Sequence, residues 1–383
     1  MTSRTAPIYI DSLPALENFC SSAKEECAIG LDTEFVRERT YYPAFALLQL
    51  SAGNRIAIID PLTIESLDPL RAILLNPHIQ KILHSGRQDL EVLLHATGVL
   101  PVNVIDTQVA AGLSGLSDQI GYGTLVNELL SIQLGKEHTR TNWLQRPLSP
   151  AQLQYAADDV AYLSAITTIL LERLTHLGRL DWMIADSNSL LDPAIYTNPP
   201  DLAWRRLTGN LDLPCPLLNR LKALTSWREE TAQRLDLPRS WILRDDDIHS
   251  ISRSSQNEPI SLPRIRGLSR EDHDRLQLEV TSMLQSLPLD CELKEKPFQP
   301  DAERKILLKK LSQEVLVAAE ALGIRPPILA SRRDLELLID NPDASRITQG
   351  WRLNIIGRQL LSQLSQSSFH VAHDRQENLP STH

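Results

Sequence analysis

Short apolar runs alternate with amphipathic stretches through the front half of the chain, and past residue 150 almost every window turns helical. Cys27-Ala28-Ile29-Gly30-Leu31, Phe45–Leu50 and Ile56–Ile59 read as buried strands. Ala52-Gly53-Asn54 between the second and third predicts a tight turn, hence a hairpin. Lys81–His84 and Val102–Ile105 are further strands, each followed by a helical pattern. Strands first paired by a hairpin and then alternating with helices predict a mixed α/β sheet.

Ser149 as N-cap and Pro150 as first helical residue open a helix whose apolar spacing continues to Leu174. The segment Asp192–Pro200, with Pro193, Pro199 and Pro200, predicts a linker. Leucines at three- and four-residue spacing over Leu207–Leu224 and Leu276–Leu284 predict amphipathic helices. A charged stretch with three prolines, Pro288–Pro300, predicts a solvated connector. Residues 303–365 are again helical, and the tail from Ser367 is expected to fray. The segments from Leu224 to Pro238 and from Leu311 to Pro326 both run helix, break, proline, a weak internal repeat that predicts two small helical bundles.

A length of 383 residues predicts two or three domains, and 42% hydrophobic with 23% charged residues excludes disorder as the main state. Cys20, Cys27, Cys215 and Cys291 form no CxxC pair, so neither a disulfide framework nor a zinc ribbon is expected. With no apolar run near the ~20 residues of a membrane span and no signal-peptide pattern at the N-terminus, a cytoplasmic protein is expected. Charge changes the picture more. Residues 1–200 hold 13 Lys/Arg and 22 Asp/Glu, and residues 201–383 hold 26 of each, so the whole net charge of −9 sits in the front half. A uniformly basic nucleic-acid binder is excluded.

Some of those acids fall where chemistry could use them. Asp32 and Glu34 end the first strand at i and i+2, so they share a face while Thr33 points the other way. An isolated Asp-x-Glu is more often a solvated turn, but this one lies between apolar residues. Asp89 opens a helix after the Lys81–His84 strand, where a favourable charge near a helix N-terminus would suffice to explain it. On the helix from Ser149, Tyr155 and Asp159 are one turn apart, and Asp158 is close enough to their face that spacing does not choose between the aspartates. A solvated charged face is the ordinary reading of that pair. Together, however, the acids offer oxygen ligands suited to Mg²⁺ or Mn²⁺. Two such ions about 3.5–4 Å apart can stabilise both the attacking and the leaving oxygen at phosphorus.

These motifs resemble ribonuclease D, the Tyr-type branch of the DEDD 3′→5′ exonucleases. The resemblance rests on Leu31-Asp-Thr-Glu-Phe-Val-Arg-Glu-Arg-Thr-Tyr-Tyr-Pro43, His84-Ser-Gly-Arg-Gln-Asp-Leu90, Trp143-Leu-Gln-Arg-Pro-Leu-Ser149 and Tyr155-Ala-Ala-Asp-Asp-Val-Ala-Tyr-Leu163. It implies a ribonuclease H-like α/β catalytic domain with a mixed sheet, followed by two small all-α bundles of the helicase-and-RNase-D C-terminal (HRDC) type. The implied boundaries are an exonuclease domain at 1–192, a linker at 193–206, HRDC domains at 207–287 and 303–368 joined by a linker at 288–302, and a tail at 369–383. The resemblance also selects Asp159 over Asp158, so that Asp32, Glu34, Asp89 and Asp159 would hold two Mg²⁺ or Mn²⁺ ions, and Tyr155 would position the attacking water and help remove its proton. Gln154 stands where the His-type branch has its histidine, and Asn142 where relatives commonly have aspartate before the tryptophan.

The implied activity is 3′→5′ hydrolysis of RNA to 5′ nucleoside monophosphates, with tRNA precursor 3′ ends as substrate and a monomer as the working form. Arg37, Arg39, Tyr41 and Tyr42 mix cations with rings, as a single-stranded RNA end requires. Equally, the tyrosines could fill the sheet edge while the arginines neutralise nearby acids. Arg264, Arg266, Lys305, Lys309 and Lys310 are further candidates for RNA backbone contacts. The histidines, His138 among them, show no ligand spacing, and Asp106-Thr107 reads as a helix N-cap. Two other functions stay open: an exonuclease preferring DNA, and an inactive RNA-binding scaffold.

Overall fold

The computed structural model describes residues 6–135, 141–208, 214–254, 260–287 and 302–366; His138, the Pro288–Pro300 connector and the tail from Ser367 lie outside them. The chain runs β1 (Ile8–Ile10), α1 (Leu13–Ala23), β2 (Ala28–Val36), β3 (Ala44–Ala52), β4 (Arg55–Ile59), α2 (Asp68–Leu74), β5 (Gln80–Leu83), α3 (Arg87–Thr97) and β6 (Val104–Asp106). Then come α4 (Thr107–Leu113), α5 (Tyr122–Leu130), α6 (Pro150–Ala161), α7 (Leu163–His176) and α8 (Leu180–Ser189). The sheet is mixed, in the order β1-β4-β3-β2-β5-β6. The β2–β3–β4 meander is antiparallel, β1 lies parallel to β4, and β5 and β6 continue parallel to β2. The β3–β4 turn is the two residues Gly53-Asn54, and Gly53 supplies the positive φ of 59° that this turn needs. The three-residue β1, too short to leave a periodic signal, was not anticipated from the sequence.

Strand alternation sends Ile29 and Leu31 of β2 into a core shared with α1, α2 and α3. The residues between them face the other side, where α6 and α7 pack. Gly30 shows how closely: a Cβ there would lie 2.4 Å from Ser51 Oγ and 2.9 Å from Leu163 Cδ1.

The helical pattern from Ser149 to Leu174 is two helices and not one. Tyr122 causes the break. Its hydroxyl donates to the Asp158 carbonyl at 3.1 Å and accepts from the Tyr162 N–H at 3.0 Å, so it occupies the place of the helical bond between those two residues. A side chain inserted into the i→i−4 ladder ends one helix and re-aims the next. The proline-rich segment after residue 192 also differs from expectation. It forms two single 3₁₀ turns, Pro193–Tyr196 and Pro200–Leu202, because Tyr196 is buried in the α1–α3 core with its hydroxyl on Leu190 O at 2.6 Å.

Beyond a single turn, α9 (Arg205–Thr208), two bundles follow. The first comprises α10 (Cys215–Leu235), α11 (Arg239–Ile242), α12 (Asp245–Arg253) and α13 (Arg270–Gln285). The second begins with α14 (Ala302–Leu322), α15 (Pro326–Leu329) and α16 (Arg332–Asp340), and closes with α17 (Gly350–Arg352), continued helically to residue 366. Their opening halves are built alike: 21-, 4- and 9-residue helices in the same order. In both, a left-handed residue ends the long helix, Asp236 at φ 49° and Gly323 at φ 63°.

The bundles meet the N-terminal domain differently. The second shares its core, with Leu311, Leu338 and Leu360 in one cluster with Ile105, Leu125 and Leu170. Trp351 stacks on Trp182 at 4.3 Å, and Arg352 grips Asp186 with two nitrogens at 2.6 and 2.7 Å. The first keeps its own core around Leu221, Leu224 and Trp227 and admits one large side chain from the N-terminal domain, Tyr41, with Tyr42 packed beside it.

Replacing Tyr122 by Phe removes two hydrogen bonds to buried backbone while keeping the ring. Urea unfolding of Y122F is expected to show a loss of about 1–2 kcal/mol; an unchanged midpoint would mean that the Asp158–Tyr162 bond re-forms without it.

Candidate active site

The site begins on β2. Pairing with β5 stops at Gly30, which faces Ile82, so beyond Leu31 the β5-side edge of β2 has no strand beside it. Asp32 and Glu34 lie on the α6 side of that overhang, and Asp159 comes down from α6 to meet them. Carboxylate oxygens of these three residues lie within 4.8 Å of one another. Asp158 points elsewhere, its Oδ1 accepting from Gln154 Nε2 at 3.0 Å.

Asp89 arrives from the opposite face, at the start of α3, and is not one of the three. It fills the gap left by the missing strand: its Oδ1 accepts from the Thr33 N–H at 3.1 Å and from the Thr33 hydroxyl. Thr33, the residue pointing away from Asp32 and Glu34, is thus the clamp that draws Asp89 against the strand. The turn before α3 is held as firmly. Ser85 takes a φ of 56°, and the N–H groups of Ser85 and Gly86 donate to Asp106 at 3.0 and 2.8 Å. Asp106 also caps α4 through Gln108 N at 2.8 Å, and His84 lies between Thr107 Oγ1 and Ile120 O, both at 2.9 Å. The His84-Ser-Gly sequence is therefore structural: it aims α3.

On the other side, α6 starts from a complete capping box, Ser149 with Gln152, behind Pro150. The loop before it is tied to the end of β4 by Arg146, which contacts both oxygens of Asp60 and donates to Ala46 O at 2.8 Å. Trp143 is buried and its ring centroid lies 6.0 Å from that of Tyr155. Tyr155 in turn hydrogen-bonds the Asp159 carboxylate. Thr33, Arg146 and Tyr122 have no chemical role readable from sequence, although Thr33 and Arg146 both lie inside the motifs quoted above.

Electrostatics identifies what this arrangement lacks. Burial raises the Glu34 carboxyl to about 8, with Asp159 and Asp89 adding to the effect. Asp159 is raised to about 7 by burial and then by Asp158, and Asp89 to about 6 by burial, offset by its bonds to Thr33. Asp32 is pushed well above the carboxylate range by burial first and then by Asp89, Asp159 and Glu34. Among the described residues, no lysine or arginine forms an ion pair with any of the four. Like charges at this range destabilise one another unless protons or cations intervene. A cluster of hard oxygen donors with no lysine or arginine paired to it among the described residues fits divalent metal ions of the Mg²⁺ or Mn²⁺ kind. Burial and the three nearby acids also raise the Tyr155 phenol.

The residues proposed to stack on RNA have other partners. Tyr41, for which the two readings stood equal, is 9% exposed. Its hydroxyl bonds Glu229, Arg239 lies over its ring at 4.6 Å, and its N–H and that of Tyr42 donate to Asp236 at 3.0 and 2.9 Å. Tyr42 packs on His95 at 4.2 Å, and Arg37 pairs with Glu91 at 2.7 Å. The tyrosines pack into the first bundle and not along the sheet edge, Arg37 neutralises an acid as in the second reading, and Arg39 is exposed. Arg264, Arg266, Lys305, Lys309 and Lys310 are exposed as well, with Arg266 against the Trp241 ring at 4.9 Å.

A mixed sheet that gathers acids from two strand positions and two helices, with a tyrosine one turn from the last, defines a nuclease of the 3′→5′ exonuclease class, which uses divalent metals. Residues 7–175 match the family model for 3′-5′ exonucleases, and residues 218–276 match the HRDC domain. Ribonuclease D of Acidiphilium cryptum is 38% identical over 371 residues, covering 93% of this chain and 92% of that protein. Ribonuclease D of Gluconacetobacter diazotrophicus is 37% identical over 367 residues, with the same coverage. The crystal structure of Escherichia coli RNase D, described as an exoribonuclease involved in structured RNA processing, superposes with a TM-score of 0.85 at 32% identity, covering 94% of this chain and 99% of that one. The chain belongs to the ribonuclease D family, and the protein is a 3′→5′ exoribonuclease. Among the described residues, no helix is long and apolar enough to cross a membrane.

The raised carboxyls set a pH dependence. Without metal, the folded protein holds protons that the unfolded chain, with carboxyl values near 4, has released. Stability in EDTA is therefore full near pH 4 and is lost as pH rises through the folded values of about 6 to 8. Urea midpoints measured at pH 5 and pH 8.5 should fall in that order in EDTA and converge on adding Mg²⁺. Asp32→Asn should raise the pH 8.5 midpoint in EDTA; a lowered one would show that the four acids do not repel each other.

Proposed function

We propose that this protein shortens RNA from the 3′ end, releasing 5′ nucleoside monophosphates, and that tRNA precursor 3′ ends are among its substrates. The observation that carries the reading is the cluster of Asp32, Glu34 and Asp159 oxygens within 4.8 Å, with Asp89 beside it and no protein cation among the described residues to neutralise it. Asp32, Glu34, Asp89 and Asp159 would hold two divalent ions, Mg²⁺ or Mn²⁺. When bound, such ions supply Lewis-acid activation of water and charge neutralisation around the scissile phosphate.

The chain's own residues then divide the remaining work. Tyr155, tethered to Asp159, orients the attacking water by hydrogen bonding and helps remove its proton. Trp143 behind it and the Arg146–Asp60 ion pair keep the start of α6 in register with β2, so that Asp159 stays opposite Asp32 and Glu34. Thr33 fixes one oxygen of Asp89. Escherichia coli RNase D is an enzyme of structured RNA processing, which supports structured RNA 3′ ends as the substrate class. The protein is read as a cytoplasmic monomer.

Purified protein incubated with Mg²⁺ or Mn²⁺ and matched 3′-labelled RNA and DNA should release mononucleotides from RNA, and none in EDTA. Preference for DNA would overturn the substrate, and release from neither would leave an RNA-binding scaffold. Asp32→Ala and Asp159→Ala should abolish release. Tyr155→Phe should lower kcat by about 10²-fold or more with the folded content by circular dichroism unchanged; a wild-type kcat would remove the tyrosine from the reaction.

A further inference from the structure

Gln49 stands in the middle of β3, and its side chain is wholly buried. Antiparallel pairing sets it directly opposite Asp32 on β2 and Ile58 on β4. Directly opposed residues share a face, with Cβ atoms about 4.5–5.5 Å apart, so Gln49 lies on the α6 side beside the acid. Neither its amide nitrogen nor its amide oxygen has a hydrogen-bond partner among the described residues. The walls around it offer none. Leu47, two residues back on the same face, and Ile58 belong to the apolar cluster with Trp143, Ala156 and Ala157. Ser51, two residues on, has its hydroxyl engaged twice, donating to Val160 O at 3.1 Å and accepting from the Gly30 N–H at 3.2 Å. Asp60, two residues past Ile58, is held by Arg146 through both oxygens. Along the ladder the polar side chain that remains is Asp32, with Glu34 one step diagonal to Gln49. An unpartnered buried amide destabilises the fold that holds it, and a methionine of similar length would fill the same space without that cost.

We propose that Gln49 is a positioning residue of the metal site, its carboxamide N–H donating to the Asp32 carboxylate when that carboxylate holds a divalent ion. The inference deepens the reading given above and rests on it for the identity of the ligands. A carboxylate has two oxygens, and one turned to a metal leaves the other to be fixed by something else. Carboxylates that hold metals are themselves hydrogen-bonded, and that outer bond sets their orientation. Asp89 has such support from Thr33, and Asp159 has it from Tyr155. For Asp32 the corresponding donor is Gln49, brought opposite it by strand register alone. The amide thus lowers the stability of the metal-free protein and serves the metal-bound one.

The test reads metal binding and stability apart from turnover. Full-length wild type, Gln49→Met and the control Leu47→Met, which alters the same wall opposite Glu34, are stripped of metal. Each is titrated with Mn²⁺ alone by calorimetry, and its urea midpoint is measured in EDTA. Gln49→Met is expected to bind Mn²⁺ about 10-fold to 100-fold more weakly than wild type and to unfold at a higher urea concentration. Leu47→Met should keep the wild-type Mn²⁺ affinity. Shifts in opposite directions separate a positioning amide from a packing role, in which stability and metal affinity would fall together. Unchanged Mn²⁺ affinity in Gln49→Met, a lowered midpoint in EDTA, or an equal loss of affinity in the control would each overturn the proposal. Gln49→Asn keeps the amide on a side chain one methylene shorter. It is expected to lose Mn²⁺ affinity without the gain in midpoint, and wild-type affinity there would overturn the proposal even if the Met variant fails to fold. A wild type that binds no Mn²⁺ would sink the metal reading and this inference with it. A wild type that binds Mn²⁺ and cleaves RNA, with Gln49→Met binding the ion equally well, would sink this inference alone.

Discussion

Buried carboxylates repel each other, and the catalytic half of this molecule is organised around holding four of them where they repel. Asp32, Glu34 and Asp159 converge within 4.8 Å, and Asp89 adds its charge from the other face of the sheet. Nothing in that group favours assembly; the cost has to be met by the elements that carry it. Burial of Ile29 and Leu31 fixes which way Asp32 and Glu34 point, because strand alternation leaves them no alternative once their neighbours are in the core. Residual protons or bound divalent ions then relieve the repulsion locally.

The remaining acids are placed by unpaired backbone. Where β5 stops short, the Thr33 N–H would be left without a partner, and Asp89 supplies one. Where Tyr122 enters the ladder at Asp158, α6 ends just past Asp159 and α7 is free to pack on Gly30. In both cases a break in regular hydrogen bonding positions one of the four acids. The same logic holds at the first bundle, where Asp236 adopts a left-handed conformation at the end of α10 and turns its carboxylate to two N–H groups of the loop that leaves β2. That loop starts within a few residues of Glu34, so the bundle and the acid cluster share one short piece of chain.

The two bundles have like opening geometry and unlike attachments. The second joins the catalytic core through apolar packing and the Arg352–Asp186 pair, which fixes it as part of one body. The first is joined through a buried polar network centred on Glu229, with two arginines and a tyrosine hydroxyl on one carboxylate. Such a network is directional where apolar packing is not. It suits a contact that sets a distance.

Much of this was legible in the residues. Strand periodicity and the Gly53-Asn54 turn were enough for the mixed sheet, since period-two patterning follows from backbone geometry alone. Asp32, Glu34 and Tyr155 could be singled out because i, i+2 on a strand and i, i+4 on a helix are local relations. Asp159 needed a family pattern to be chosen over Asp158, because adjacent helical residues differ in facing by a turn that only packing resolves. Tyr41 was open to two readings, and the deciding fact, a partner 188 residues away at Glu229, leaves no trace in its own neighbourhood. The split at Tyr162 was hidden for the same reason: its cause is a hydroxyl 40 residues upstream. The sequence by itself determined which residues carry charge and which face of their own strand or helix they take. Only the tertiary structure decided which charges meet, because meeting depends on where strands stop, where helices are interrupted and which buried partner claims a side chain first.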